Sequence, residues 1–140
     1  MATLEEIKTE RIKLNRFMTY NFIQLTVLEK DLAECRLTLR EESTNPFGLF
    51  HGGALYTMAD STAGSAAHSV GRSYVTQNSS MNFLANIKEG TAVSTGKVIH
   101  RGKRTCLVGV EITAQATGKL LASGSFTFFC TNPDAPVTPS

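Results

Sequence analysis

The sequence predicts an α+β domain in which an antiparallel sheet wraps one central helix, and three observations lead there. Six stretches alternate apolar and polar residues as strands do. One long stretch, Ala54 to about Val70, has no Pro and is built from Ala, Ser and Gly with a few larger apolar residues, which suits a helix enclosed by other elements. The links between successive strands are too short for parallel crossovers, so neighbouring strands run antiparallel and the helix covers one face of the sheet. With 140 residues, 41% of them hydrophobic and 19% charged, the chain has room for one core and reads as a single globular domain, 1–140.

Thr3 and Glu6 have the spacing of a capping box, and Leu4, Ile7, Arg11, Ile12 and Leu14 make a mixed stripe up to about Asn15. This predicts a short, peripheral leading helix within residues 1–17. Alternation then takes over from Asn21 to Glu29 and from Leu32 to Glu42. It is clearest where Ala33, Cys35, Leu37 and Leu39 interleave with Glu34, Arg36, Thr38 and Arg40, and Lys30-Asp31 is the tight connection of a hairpin. Turn chemistry follows at Ser43-Thr44-Asn45-Pro46-Phe47-Gly48.

In the central helix Leu55, Met58, Ala59, Ala66 and Val70 fall on one side at about 100° per residue. Four more strands are predicted at about 74–85, 91–101, 104–116 and 119–131. Hairpin signals stand at Gly102-Lys103 and at Ala116-Thr117-Gly118-Lys119, and Leu120, Ala122, Gly124, Phe126 and Phe128 alternate cleanly. The core therefore spans about 18–131. A tail at 132–140, with Pro133, Pro136 and Pro139, is expected to be loose.

Composition narrows the class further. No apolar run approaches the ~20 residues that cross a bilayer, and Glu5, Glu6 and Glu10 stand where a targeting segment avoids acids, so a soluble, cytoplasmic protein without a membrane partner is expected. Cys35, Cys106 and Cys130 are widely spaced and lack partners at metal-ligand spacing; they read as small core residues, and no metal is expected. The net charge of +2 hides a cluster, Lys97, His100, Arg101, Lys103 and Arg104, near one hairpin tip. Such a cluster is either a solvated, aggregation-resistant edge or a place to hold a phosphate or diphosphate. Without interleaved aromatics it does not suit nucleic acid.

The strongest constellation for chemistry begins at Asn45 and runs through His51-Gly52-Gly53 into the central helix, with Asp60 seven residues after Gly53. Gly52 and Gly53 either relieve crowding at a loop-to-helix junction or let a ligand approach backbone N–H groups that have no intrahelical acceptor. Those N–H groups form a pocket for a polarised or anionic oxygen. Asp60 shares a helix face with Gly53, Tyr56, Ala63, Gly64 and Ala67, and no cation lies three or four residues away along the helix. A carboxyl on so small and apolar a helix is desolvated and favours its neutral form unless a partner comes from elsewhere; lone buried acids gather at functional sites. In the next strand Tyr74, Thr76, Asn78, Ser80 and Asn82 make one polar face, while Val75, Met81 and Phe83 lie on the other with Gln77 and Ser79 as exceptions. That polar face is either solvated or one wall of a cleft beside Asp60.

Taken together, the Asn, the loop ending His-Gly-Gly, the small-residue helix bearing Asp60, the run Met81-Asn82-Phe83-Leu84 and the hairpin His100-Arg101-Gly102-Lys103 resemble the hotdog-fold acyl-CoA thioesterases of the phenylacetate-degradation type. The resemblance covers about residues 18–131. It implies a homodimer whose sheets join side by side, often paired again into a tetramer, with active sites at the subunit interface. It implies that Asp60 activates water or attacks the thioester, that the Gly52 amide polarises its carbonyl, that Asn45 positions the reacting groups or the leaving sulfur, and that His51 supports the loop. Thr76 takes the place of a Ser that holds the water in a family member, adding a methyl group. Gly53, Tyr56 and Gln77 are expected against the substrate, with Arg101, Lys103 and Arg104 on the phosphates of coenzyme A. No cofactor is implied, since coenzyme A is part of the substrate. A thioester is already activated and its thiolate leaves readily, so a carboxylate, an oriented water and amide donors suffice. Two other readings stand beside hydrolysis: a hotdog dehydratase or hydratase, and a non-catalytic module that binds or senses acyl-CoA.

Overall fold

The computed structural model describes residues 2–138. Two short helices, α1 (Leu4–Leu14) and α2 (Arg16–Tyr20), precede a hairpin of β1 (Gln24–Glu29) and β2 (Leu32–Thr38). The central helix α3 (Gly52–His68) is followed by β3 (Tyr74–Phe83), β4 (Thr91–Arg101), β5 (Thr105–Ala114) and β6 (Leu120–Cys130). All six strands form one antiparallel sheet in the order β1-β2-β4-β5-β6-β3. The sheet curls around α3, as the sequence predicts.

That wrapping depends on the small residues of α3. From Ser61 to Ala67 every residue is buried, and none is larger than Thr. Opposite them β4 presents Gly96, where an added Cβ would lie 3.2 Å from Thr62 Cγ2 and 3.5 Å from Ala63 Cα. The core is completed by the inward alternation of Ala33, Cys35 and Leu37 on β2, of Cys106, Val108, Val110 and Ile112 on β5, and of Phe126 and Phe128 on β6. All three cysteines are buried and free, and burial pushes the Cys35 thiol up to about 11. They are packing residues.

The first helix has the predicted capping box: Glu6 N–H donates to Thr3 Oγ1 at 3.1 Å and Thr3 N–H to Glu6 Oε1 at 3.4 Å. It is less peripheral than expected, because Ile7 is buried and Arg11 Nε donates to Ser65 Oγ on α3 at 2.9 Å. Helix α2 lies just before Asn21, where the alternation predicts the first strand to begin; that strand starts at Gln24. The cap of α2 is Asn15, whose side chain accepts from Met18 N–H at 3.2 Å, and Met18 is buried beneath it. The second strand ends at Thr38 rather than Glu42, because Ser43 Oγ accepts from Arg40 N–H (3.1 Å) and donates to Arg40 O (3.0 Å), closing a short 3₁₀ turn over Glu41–Ser43.

Two β-bulges set the side chains that matter. In β3, Thr76 lies opposite Phe128 and Asn78 opposite Thr127, so Gln77 is an extra residue. Beyond it the alternation flips. Tyr74, Thr76, Ser79, Met81 and Phe83 therefore face inward with their opposites Cys130, Phe128, Phe126, Gly124 and Ala122. In β4 a second irregularity lies between Val98, opposite Val108, and His100, opposite Leu107; it turns Arg101 inward beside Cys106. The tail, expected to be loose, is held as far as it is described. Arg72 Nε donates to Ala135 O (2.8 Å), Ser73 N–H to Asn132 Oδ1 (2.8 Å) and Thr138 N–H to Val70 O, so hydrogen bonding outweighs the prolines. Pro139 lies outside the described residues.

Candidate active site

The loop before α3 is built by its own side chains. Asn45 Oδ1 accepts from Phe47 N–H (2.9 Å) and Leu49 N–H (3.0 Å), while Asn45 N–H donates to Leu49 O (2.8 Å). Its carbonyl side is therefore spent on shaping the turn, and its amide nitrogen has no partner among the described residues. Asn86 clamps the far side of the loop, with Nδ2 donating to Phe50 O (2.9 Å) and Oδ1 accepting from Phe50 N–H (3.1 Å). No local pattern in the sequence marks Asn86.

His51 caps α3 with extended backbone (φ −65°, ψ 133°), its N–H bonded to Ser43 O at 2.8 Å. Its Nδ1 accepts from Gly53 N–H at 2.8 Å. Of the two glycine amides, Gly53 is thereby occupied. Gly52, as the first helical residue, keeps an N–H with no intrahelical acceptor, at the positive end of the helix dipole. Gly52 is half-buried, and a Cβ there would come no nearer than 3.9 Å to the Phe83 ring. A groove of about 750 Å³ runs past His51 and Gly53, walled by Phe17, Tyr20, Phe22 and Thr57.

Asp60 lies two turns further along α3, partly exposed. Thr76 Oγ1 donates to Asp60 Oδ1 at 2.7 Å, which joins the acid to the hydroxyl across the α3–β3 seam. The bulge at Gln77 explains the mixed faces read from the sequence: Thr76 and Ser79 both point at α3, and the Tyr56 hydroxyl is hydrogen-bonded to Ser79 Oγ. The Tyr56 ring packs edge-on to Phe126, with centroids 5.7 Å apart, and lies against Phe83 at 6.4 Å. Gln77, expected against the substrate beside them, is the unpaired bulge residue and is exposed. Strict alternation cannot reveal such an insertion.

The basic cluster divides. Lys103 and Arg104 are exposed at the β4–β5 tip, with Lys103 Nζ 3.8 Å from Asp134 Oδ1. Arg101, expected with them on a phosphate, corrects that expectation. The β4 bulge turns its guanidinium inward, where it bonds Asp31, Tyr74 and the last carbonyls of α3. Two further residues on this seam had no sequence signal. Arg11 reaches across from α1, with Nη2 3.2 Å from where a Cβ on Gly64 would stand. His68 bonds Gly64 O through Nδ1 (2.7 Å) and accepts from Tyr74 N–H at Nε2 (3.2 Å). Burial, with Arg11 and Arg101 nearby, pulls His68 down to about 4.

Comparison with known proteins agrees with this fold. Residues 47–121, from the loop before α3 into β6, match the thioesterase superfamily. Human acyl-coenzyme A thioesterase 13 is 33% identical over 96 residues, covering 66% of this chain and 69% of that one. The PaaI protein of the Escherichia coli phenylacetic acid degradation operon superposes with a TM-score of 0.87 over 96% of this chain and 95% of its own, and at 21% identity it speaks for the fold. The Streptococcus mutans protein smu.793, solved bound to acetyl CoA, is 31% identical with a TM-score of 0.74, covering 78% of this chain and 88% of that one.

Proposed function

This chain belongs to the thioesterase superfamily, adopts its hotdog fold, and from that premise we propose that it hydrolyses acyl-CoA thioesters to the free acid and coenzyme A. The observation that carries the reading is Asp60, bonded to Thr76 of β3 and set on the same helix whose N-terminus offers the Gly52 N–H. Names among the relatives support the substrate class, since one is an acyl-coenzyme A thioesterase and another was solved with acetyl CoA.

In this reading the thioester oxygen accepts from Gly52 N–H, where the helix dipole favours growing negative charge. Asp60 takes a proton from a water that attacks the carbonyl carbon, or attacks that carbon itself to give an anhydride that water then opens. In either route the C–S bond breaks and the CoA thiolate leaves. Thr76 fixes which lone pair of Asp60 is free for this work, because Oδ1 already accepts its hydroxyl.

One chain does not complete the site. Eight residues of α3 separate Gly52 from Asp60, about 12 Å along the axis, too far for both to act on one carbonyl. We therefore assign Gly52, with Asn45 and His51, to one protomer and Asp60 with Thr76 to its partner in a homodimer. The free side of β3 supports this: among the described residues no strand pairs with it there, and Val75 on its outer face, Phe83 on its inner face and Leu84 just beyond are large apolar side chains left exposed. Lys103 and Arg104 follow Arg101, which bonds the last carbonyls of α3, and these two exposed cations would hold the phosphates of coenzyme A.

The test is release of free thiol from a panel of short, medium, long and aromatic acyl-CoAs by the purified protein and by Asp60→Asn. The expected result is turnover by wild type that falls at least about a hundred-fold in the variant, with an unchanged circular dichroism spectrum. Unchanged release in Asp60→Asn would sink the mechanism. Binding of acyl-CoA by calorimetry with no release by wild type would make the chain a non-catalytic binding module instead.

A further inference from the structure

Three elements meet on one guanidinium that lies 27 to 70 residues further along the chain. Arg101 Nη1 donates to Ala67 O (3.0 Å) and to the Tyr74 hydroxyl (2.7 Å), and Nη2 donates to Asp31 Oδ1 (2.8 Å) and more weakly to Ala66 O (3.4 Å). It thus joins the turn of the β1–β2 hairpin, the last turn of α3 and the first residue of β3. Each partner is itself fixed. Asp31 sits in the left-handed region (φ 64°), with its N–H on Ser69 Oγ at 2.8 Å and its carbonyl accepting from Val98 N–H at 3.0 Å. Tyr74 is tied a second time, through its N–H to His68 Nε2 at 3.2 Å. The planar fork of an arginine serves these divergent acceptors, which the single ammonium of a lysine does not.

The place of this clamp gives it a consequence for chemistry. Within one chain β3 is bonded, among the described strands, to β6 alone, and that ladder is interrupted at Gln77. A strand is held less firmly where a bulge interrupts its ladder. Thr76, which holds Asp60, lies between Tyr74 and that interruption, so its position follows from how firmly Tyr74 is held.

We propose that Arg101 is a positioning residue for the Asp60–Thr76 pair: by tying Tyr74 to the end of α3 it fixes the α3–β3 spacing at which the Thr76 hydroxyl meets the Asp60 carboxylate. The inference rests on the proposed thioesterase reading for its kinetic consequence, though not for its geometry.

The sharpest probe is Tyr74→Phe, which deletes only the hydroxyl that accepts from Arg101 and leaves the bonds to Asp31 and to α3 in place. It is compared with wild type, Arg101→Lys, Thr76→Ala and the Tyr74→Phe/Thr76→Ala double variant, by steady-state kinetics on an acyl-CoA that wild type hydrolyses. Amide hydrogen exchange across β3 is followed in parallel. The expected result is a kcat about ten-fold lower in Tyr74→Phe with KM unchanged, most of that loss vanishing in the Thr76→Ala background because both changes break one unit. Exchange at Thr76 and Gln77 quickens. Full kcat in a Tyr74→Phe protein of lower Tm overturns the proposal, leaving a clamp that serves folding alone. So does a salt-sensitive rise in KM for Arg101→Lys at unchanged kcat, which marks a phosphate ligand. A wild type that hydrolyses nothing counts against the thioesterase reading instead. Exchange at Thr76 then decides the clamp, and exchange no faster in Tyr74→Phe refutes it.

Discussion

His68 occupies the seam that also holds Asp60 and Thr76, and both of its ring nitrogens are used: Nδ1–H toward Gly64 O and Nε2 as acceptor for Tyr74 N–H. Protonation would put a hydrogen on Nε2, break the bond to Tyr74 and add a charge between Arg11 and Arg101. Burial is the largest reason that His68 is held down at about 4, and those two arginines add to it. An unfolded histidine takes its proton near pH 6.5, so between about 6.5 and about 4 the unfolded chain holds more protons than the folded one. Stability is therefore complete above about pH 6.5 and falls as the pH drops through that window, by an amount on the order of 3 kcal/mol. Urea midpoints at fixed protein concentration, taken from about pH 7 to about pH 5, should fall in wild type and stay flatter in His68→Gln, whose amide keeps one donor and one acceptor. Parallel slopes in the two proteins would contradict this account. The residues that bear on the chemistry were legible in unequal measure. Asp60, Gly52 and His51 stood out because local spacing around a helix start carries their meaning. His68, Arg11 and Asn86 act across elements, through partners 6, 54 and 36 residues away. Nothing local announces such partners.

At the level of elements, composition and alternation were good guides wherever the backbone is regular. The central helix and the four strands after it fall within about two residues of their predicted limits at each end. In those strands the departures in facing occur where one residue breaks a period. Gln77 shifts β3, so Ser79 joins Thr76 on the inner face; the bulge before His100 shifts β4, so Arg101 leaves the basic tip and enters the seam. A single inserted residue reverses every later side chain, and a sequence of Thr, Gln, Asn and Ser gives no sign of which one is extra. Where the period is intact, its energetic basis can be tested at Gly96. A Cβ there meets Thr62 Cγ2 at 3.2 Å and the backbone of Thr62 and Ala63 at 3.4 and 3.5 Å, and a buried helix backbone does not yield as a flexible side-chain end would. Gly96→Val should lower stability by about 1–3 kcal/mol, read as a reduced urea midpoint with an unchanged m-value. Gly118→Val gives the contrast. Its Cβ meets nothing within 4 Å, but φ is 74°, so any loss there comes from backbone strain rather than packing.

The whole molecule poses a geometric problem that one chain does not solve. Gly52 and Asp60 are rigidly spaced on one helix, about 12 Å apart along its axis by the helical rise, and no loop motion shortens a helix. If each catalytic centre combines the loop of one protomer with the acid of its partner, two different inactive chains should repair each other. The two inactivating changes can be chosen cleanly. Asp60→Asn removes the base. Gly52→Pro removes the amide donor at the first helical position, where a missing N–H costs no intrahelical bond, and the preceding His51 already has the extended conformation that proline demands (φ −65°, ψ 133°). In a mixed dimer the Asp60→Asn chain contributes an intact loop and the Gly52→Pro chain an intact Asp60, so one of the two centres is whole and the other carries both defects. Random pairing of equal amounts makes half the dimers mixed, which predicts about a quarter of wild-type turnover from two parents that each show almost none. The measurement is thiol release after co-refolding of the two variants, with the separately refolded proteins combined only at assay as the control. If co-refolding yields no more than that control while mixed dimers are demonstrably present, each chain must hold its own complete centre. The assignment of Gly52 and Asp60 to one reaction would then fail, since their separation on α3 forbids it within a single chain.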